Sequence, residues 1–412
     1  MSAAKENFKH EQVISQTFKS EEHLSTTEEA LFILKAFENN LKSIGGKFIG
    51  YPCNRAFDLT DFFDWWKNSY LSQIPLNDVG NPEDNSSYGL NSRPFERELI
   101  ANFASYYNLP IENAWGYTTT GGTLGNEQGL YLGRVHLQAF GEPILYVSEE
   151  AHYSIKSLAK ILSIDLIVIE STANGEINYK KLEEKINPNR PALFSISIGT
   201  TFKGAIDDIK KIDAVVKAKK IEHFFYHADA ALFGGHLAFL DDPNAPKIDF
   251  QNLPYHSIAV SGHKFFGSPV PLGFFLTKKE FLQPLQGDYI EYISSSNVTI
   301  PCSRSALNTL ILWWVLKTKK RDFPKEAQTM LGNAFYLQKQ LLRHGISAYL
   351  NRHSNTVYFK VPSPDLCRKW FLATVTCPFL GPLGHVVVMQ HVTKELLDEF
   401  ISDLIQDSYI RS

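Results

Sequence analysis

The chain is poor in cysteine and in long apolar runs, and it carries no surplus of positive charge. Its four cysteines, Cys53, Cys302, Cys367 and Cys377, are spread over 412 residues with no C-x-x-C pair and no regular framework. That excludes a disulfide scaffold, fits a reduced, cytoplasmic setting, and offers no metal-ligand spacing. No window approaches 18 uninterrupted apolar residues, and Met1-Ser2-Ala3-Ala4-Lys5-Glu6 opens a polar stretch rather than an apolar leader, so neither a membrane span nor an export signal is expected. Lys and Arg number 41 against 44 Asp and Glu, a net charge of -3. With no excess of cations to neutralise phosphates, neither nucleic acid nor an anionic membrane is expected as a partner. Internal repeats and low-complexity tracts are missing as well.

What is present is an ordinary globular composition, 44% hydrophobic, sufficient for a sizeable core. Residues 1–24 are polar. Thr26-x-x-Glu29 then forms a capping-box pattern, and Leu31, Leu34, Phe37 and Leu41 follow at near-helical spacing up to Gly45-Gly46. The apolar face of that helix packs either on the chain's own core or on a partner subunit. From Trp115 onward, short β-branched or aromatic runs at Ile144–Val147, Leu166–Ile169, Leu193–Ile198, Phe224–Ala228, Ile258–Val260 and Gly273–Leu276 are mostly separated by helix-length segments. The pattern predicts an α/β fold with a largely parallel sheet covered on both faces, and an antiparallel edge strand where the last two runs come close together. Beyond Pro324 the reading is helix (Ala327–His344), strand (Thr356–Phe359), helix (Asp365–Ala373), strand (His385–Met389) and a helix capped by Thr393. Three regions are therefore expected: an N-terminal arm and helix over 1–50, a large domain over 51–320, and a small C-terminal α+β domain over 321–412.

The chemistry-bearing residues gather at predicted strand ends. Phe224-Phe225-Tyr226 leads to Asp229, and Ile258-Ala259-Val260 leads to Ser261-Gly262-His263-Lys264. Ligands of open α/β sheets lie outside the carboxyl ends of strands, so Asp229 and Lys264 are expected in one crevice. An acid and a lysine so placed suit pyridoxal 5'-phosphate: the amine bonds covalently to the cofactor's aldehyde carbon, and the acid pairs with the ring nitrogen. Thr118-Thr119-Thr120-Gly121-Gly122-Thr123-Leu124-Gly125-Asn126 feeds the N-terminus of a helix expected over Glu127–Gln138, whose free amides and dipole, with the turn's hydroxyls, can hold a phosphate, although the turn is neither G-x-G-x-x-G nor a Walker A. Gly122, Thr123, Ser261 and His263 are the candidates there. His152, after the run Ile144–Val147, stands where it can stack on a flat ring. Thr200 and Thr201 end the next strand, within reach of the ring's edge.

These motifs, with Ala151-His152-Tyr153-Ser154, Lys203-Gly204-Ala205-Ile206-Asp207-Asp208 and His227-Ala228-Asp229-Ala230-Ala231, resemble the pyridoxal-phosphate-dependent group II amino-acid decarboxylases. The likeness is strongest to bacterial histidine decarboxylases and plant serine decarboxylases, and it covers roughly residues 50–405. It implies the aspartate aminotransferase-like fold (fold type I) with a mainly parallel seven-stranded sheet, and a homodimer with shared active sites. Lys264 matches the cofactor lysine, Asp229 the ring-nitrogen partner, His152 the stacked imidazole and Ala231 the small residue beneath the ring. Tyr292, in the loop Asp288–Ser303, is a candidate proton donor to Cα. Tyr51, Tyr88, Asn91 and Arg304 are candidates for the amino-acid substrate, with Leu124 and Leu307 where relatives carry polar residues. Histidine is the expected substrate. Serine or an aromatic amino acid, or a binding role without turnover, is the alternative.

Overall fold

The computed structural model describes residues 26–285 and 289–411; the polar lead-in 1–24 and the first residue of the loop Asp288–Ser303 lie outside them. The chain divides into two units, residues 1–48 and 49–412. The first contains the helix Thr27–Ile44. Its capping box forms as the spacing predicts: the Thr26 amide donates to Glu29 Oε2 at 2.8 Å, and the Glu29 amide to Thr26 Oγ1 at 3.3 Å. Among the described residues of this unit nothing covers Phe32, Leu34 or Leu41, all strongly exposed.

The second unit is built on a seven-stranded sheet of β1 (Ala114–Thr119), β2 (Ile144–Ser148), β3 (Asp165–Ile169), β4 (Ala192–Ser197), β5 (Phe224–Asp229), β6 (Ser257–Ser261) and β7 (Gly273–Lys278). The spatial order is β1-β7-β6-β5-β4-β2-β3. Pairs from β6 through β3 are parallel, while β7 runs antiparallel to both neighbours. This is the expected α/β sheet with one correction. The antiparallel strand is not an edge, because β1 pairs along its outer side. Sequence distance hid that pairing: β1 lies more than 150 residues before β7.

The helix Gly122–Gln138 lies on this sheet so closely that three glycines on one face are required. A Cβ at Gly125 would stand 2.7 Å from Ala259 Cβ, one at Gly129 2.2 Å from the His227 ring, and one at Gly133 2.6 Å from Leu193. The i, i+4, i+8 spacing puts all three on the sheet-facing stripe.

A second, four-stranded antiparallel sheet follows, with β8 (Ala348–Leu350), β9 (Thr356–Lys360), β10 (Ala373–Cys377) and β11 (Gly381–Val387) in the order β8-β9-β11-β10. The helices Phe323–Arg343 and Lys394–Gln406 accompany it, and Thr393 Oγ1 caps the latter by accepting from the Leu396 amide. Two expectations need correcting here. The helix predicted over Asp365–Ala373 stops at Lys369, and Ala373 begins β10. The strand predicted at His385–Met389 starts earlier, at Gly381. Val375 and Thr376 in β10 are exposed, so this strand lacks the apolar run that betrayed the others.

Gly129→Ala should destabilise the fold. The intrinsic helix gain of roughly 1 kcal/mol is outweighed by an overpacking cost of about 1–3 kcal/mol at so short an approach. A lowered midpoint in thermal or urea unfolding checks this; a raised midpoint would show that the helix can lift off the sheet without cost.

Candidate active site

Two carbonyl-end turns and one helix start converge. Asp229 is the last residue of β5 and is buried; its Oδ1 accepts from the Ala231 amide at 3.3 Å. Lys264 lies in the one-turn π-helix His263–Gly267 that follows β6. The helix Gly122–Gln138 begins opposite them. Ser261 Oγ accepts from the Gly122 amide at 3.0 Å, and a Cβ at Gly122 would stand 2.7 Å from both Ala231 Cβ and Ser261 Oγ. Only glycine lets this helix start sit so close to the strand ends.

Together these residues line a cavity of about 240 Å³ with Thr120, Thr123, Asn126, His152, Ser154, His263 and Pro271. Burial pushes the Lys264 amine down from the usual lysine range, against the opposing pull of the Asp229 carboxylate. His263 is held by its Nδ1 against the Leu272 carbonyl oxygen at 2.9 Å. Burial lowers its pKa, with Lys264 acting in the same sense and the Leu272 bond opposing. Below the floor, His227 bridges Ser257 Oγ at 2.8 Å and Asn126 Oδ1 at 2.9 Å, and burial takes its pKa to about 3. It is a neutral strut between sheet and helix.

His152 has a determinate tautomer. Its Nδ1 takes the Ser154 amide at 3.3 Å and lies 2.7 Å from Ser154 Oγ. An atom already accepting a backbone N–H carries no proton, so the neutral ring is protonated on Nε2 and the Ser154 hydroxyl donates to Nδ1. Burial depresses its pKa first, and Asp229 and Lys264 act in opposite senses.

The remaining candidates do not line this cavity. Thr200 is buried, with its Oγ1 accepting from the Ala205 amide at 2.9 Å, and Thr201 is exposed on the same turn. Arg304 is the clearest departure from expectation. Its guanidinium is buried on Glu96 at 2.8 Å, donates to the Gly80 carbonyl at 2.8 Å, and lies over the Tyr117 ring. It holds the chain's own loops and offers no free fork to a substrate carboxylate. Leu307 packs against the main core, and Leu124 is half-buried in the first turn of its helix. Tyr292 is 84% exposed. Its segment is stitched to the Tyr88 loop, where Ser86 Oγ donates to the Ile293 carbonyl at 2.5 Å and Ser87 Oγ to the Tyr292 carbonyl at 3.2 Å. Asn91 Nδ2 donates to the Tyr88 carbonyl at 2.6 Å, so Tyr88, Asn91 and Tyr292 share one surface assembly. Tyr51 is also exposed.

Sequence reasoning passed over Asn126, Ser154 and Pro271 as site residues. Ser154 had a signal, the His-x-Ser spacing of a capped turn. Asn126 stood in the Gly125-Asn126 motif of the resemblance, but its partner His227, 101 residues away, left no local trace. Cys53 is a further omission: it is exposed, and it lies within electrostatic reach of Lys264.

A helix N-terminus that only glycine permits, a buried acid, a withdrawn lysine and a neutral imidazole define a pocket for an anion carried on a flat, basic heteroaromatic ring. These residues fit pyridoxal phosphate. A larger cavity of about 710 Å³, lined by Asp207, Lys211, Asp249 and Arg352 among others, has no such set, and size does not decide between the two.

The chain belongs to the pyridoxal-dependent decarboxylases: the family's conserved domain matches residues 133–361. It is a pyridoxal-phosphate-dependent amino-acid decarboxylase. It is 37% identical to serine decarboxylase 1 of Oryza sativa subsp. japonica over 91% of this chain and 75% of the relative. To histidine decarboxylase of Vibrio campbellii it is also 37% identical, over 87% of this chain and 90% of the relative. Among solved structures, L-methionine decarboxylase from Streptomyces sp. 590 superposes with a TM-score of 0.84 at 22% identity, covering 97% of this chain and 98% of that one. At that identity the likeness speaks for the fold alone.

Ser154→Ala should ease protonation of His152 by removing a donor to its unprotonated Nδ1. The folded pKa lies below the unfolded value, so this ring favours the fold above the unfolded value and the contribution is lost as pH falls through the folded one. In the variant the titration should move up toward the ordinary histidine range, by under about 1 unit for one hydrogen bond. Ring-proton NMR against pH reads the shift, and an unmoved titration would sever the link between the two side chains.

Proposed function

We propose that the chain decarboxylates histidine to histamine and carbon dioxide, at sites shared between two copies. The observation that carries the placement of the site is the Asp229/Lys264 pair facing a glycine-permitted helix N-terminus across one small cavity. Histidine rests on the likeness to histidine decarboxylases. Serine is the second reading, favoured by equal identity to the serine decarboxylases.

Bound pyridoxal phosphate supplies an electron sink beside the substrate's Cα. Lys264 would hold its aldehyde carbon and give way to the substrate amine; burial keeps that amine closer to its neutral, nucleophilic form. Asp229 would keep the ring nitrogen protonated. His152 and Ala231 would bracket the ring's faces, with Gly122, Thr123, Ser261 and His263 on the phosphate and Thr200 and Thr201 toward its edge. Decarboxylation needs the Cα–carboxylate bond held across the ring plane and water kept from the departing charge. Tyr292 would return the proton to Cα. Its exposure, at the edge of the assembly it forms with half-buried Tyr88 and Asn91, supports action in a second copy's cavity, and exposed Tyr51 joins that reading. Leu124 would narrow the substrate side directly, whereas Leu307 would act through the seating of its helix.

The apolar face of the helix Thr27–Ile44 supports the homodimer. Four free cysteines support a cytoplasmic location. Among the described residues no helix is long and apolar enough to cross a membrane. We also take 51–320 as the cofactor-binding domain and 321–412 as the small one.

Borohydride reduction of the loaded enzyme should fix the cofactor on the Lys264 peptide alone, and trapping on another lysine ends the assignment. Asp229→Asn should retain cofactor by absorbance yet lose turnover by more than about 100-fold; near-normal turnover would reduce Asp229 to a capping residue.

Carbon dioxide release from a panel of amino acids should be fastest with histidine. Release from serine with none from histidine would replace the substrate and leave the chemistry standing, while no release from any member would favour a binding role.

A further inference from the structure

His385 sits in the interior strand β11, opposite Tyr358 of β9 and Ala373 of β10, and is buried. Both of its ring nitrogens face carbonyl oxygens. Nδ1 is 2.7 Å from the Phe202 oxygen, and Nε2 is 3.1 Å from the Gly50 oxygen. The Phe202 ring stacks on the imidazole at 4.3 Å between centroids. Each carbonyl belongs to a segment that runs to the cofactor cavity. Beyond Gly50 the chain passes Cys53 to Asn54, whose Nδ2 donates to the Phe265 carbonyl at 2.9 Å, the residue after Lys264. Beside Phe202 stands Lys203, buried and paired at 2.6 Å with Glu150, two residues before His152. One imidazole therefore lies between the segment that reaches the Lys264 turn and the segment that reaches the His152 turn.

We propose that His385 is a positioning residue for the active site, tying these two segments together through separate ring N–H donors, and that only its doubly protonated form makes both bonds. A neutral imidazole has one ring proton and can satisfy one of two carbonyls; the other then faces a lone pair. The groups around the ring are Tyr358 from β9, Cys377 from β10 and the Lys203–Glu150 pair beside Phe202. Burial lowers the pKa of His385, and the two carbonyls oppose it. The second bond is therefore made below the usual histidine range and released as pH rises through the folded value. Whole-fold stability runs the other way: with a depressed folded pKa, it is full above the unfolded value and falls as pH drops. The proposal rests on the Lys264 cavity being the reaction site, but its test reads segment mobility rather than turnover.

Two variants separate the bonds. The amide nitrogen of His385→Asn overlays Nδ1 and keeps the Phe202 donor; that of His385→Gln reaches as far as Nε2 and keeps the Gly50 donor. In the cofactor-loaded enzyme held below the folded value, where the wild-type ring makes both bonds, hydrogen exchange of the peptide over residues 49–57 should quicken roughly fivefold in His385→Asn and little in His385→Gln, and the peptide over 199–205 should show the reverse, as the loss of one net hydrogen bond implies. Equal loosening of both segments in both variants, or of neither, overturns the proposal. Should neither variant fold, the wild type decides. After correction for intrinsic rates, exchange of 49–57 or of 199–205 should speed up as pH rises from about 4 to about 7, a window reaching below the ordinary histidine value of about 6.5 because burial lowers the folded one, and flat profiles in both segments refute the two-proton bridge.

Discussion

The site depends on the close approach of the helix Gly122–Gln138 to β5 and β6. At Gly125, Gly129 and Gly133 the helix stands where no side chain fits, so its height above the sheet is set by backbone contact and not by flexible packing. The amides at its start are thereby fixed relative to Asp229, which ends β5, and Lys264, in the turn after β6. His227 locks the arrangement from below through Asn126 and Ser257. A binding site tolerates errors of roughly half an ångström, and side chains on a helix and strands in contact meet that tolerance where loops would not.

A second constraint is polar. Glu96 and Arg304 are both buried and paired, and Glu96 also accepts from the Thr118 amide and hydroxyl at 2.9 Å. Asp78 accepts from the Ser92 amide at 2.6 Å, and burial raises its pKa, with Glu96 acting in the same sense. Buried ion pairs seldom add net stability, because desolvation offsets the attraction. Here the pair fixes geometry: the short pairing of Asp78–Val79 with Ser303–Arg304 joins two loops more than 200 residues apart. Those loops flank the Tyr88 and Tyr292 assembly, so an arginine placed by sequence on the substrate acts instead on the frame that presents the surface tyrosines.

The sheet and its crevice were legible because buried parallel strands read as apolar runs, and because Asp229 and Lys264 each close one. The turn into the helix was legible from its glycines and threonines, but the helix begins at Gly122 and not at the expected Glu127, because glycines that weaken a helix in isolation are held in it by their contact with the sheet. The position of β7 was not, since register with a strand far back in the chain leaves no local trace. Arg304 and Leu307 misled for a related reason: motif position says which loop a residue occupies, but the long-range partners Glu96 and the main core decide which way it faces. The strand β10, half of it exposed, gave no apolar signal at all.

On the proposed reading the walls of the Lys264 cavity would belong to the cofactor. Thr120, Gly121, Gly122, Ser261 and His263 suit a phosphate, His152 and Ala231 the ring, Asp229 and Lys264 its two reactive ends. Little of that lining is left to distinguish an imidazole side chain from a hydroxymethyl one. In the shared-site reading, discrimination falls to the exposed Tyr51 and Tyr292 and the half-buried Tyr88 and Asn91 of a second copy, where a buried polar group left unpaired by the wrong substrate costs about 1–3 kcal/mol. Equal identity to serine and histidine decarboxylases is what such a division would produce. The cofactor lining can be held constant while a surface assembly, fixed to its own chain by Ser86, Ser87 and Arg304, is altered without disturbing the crevice it would serve.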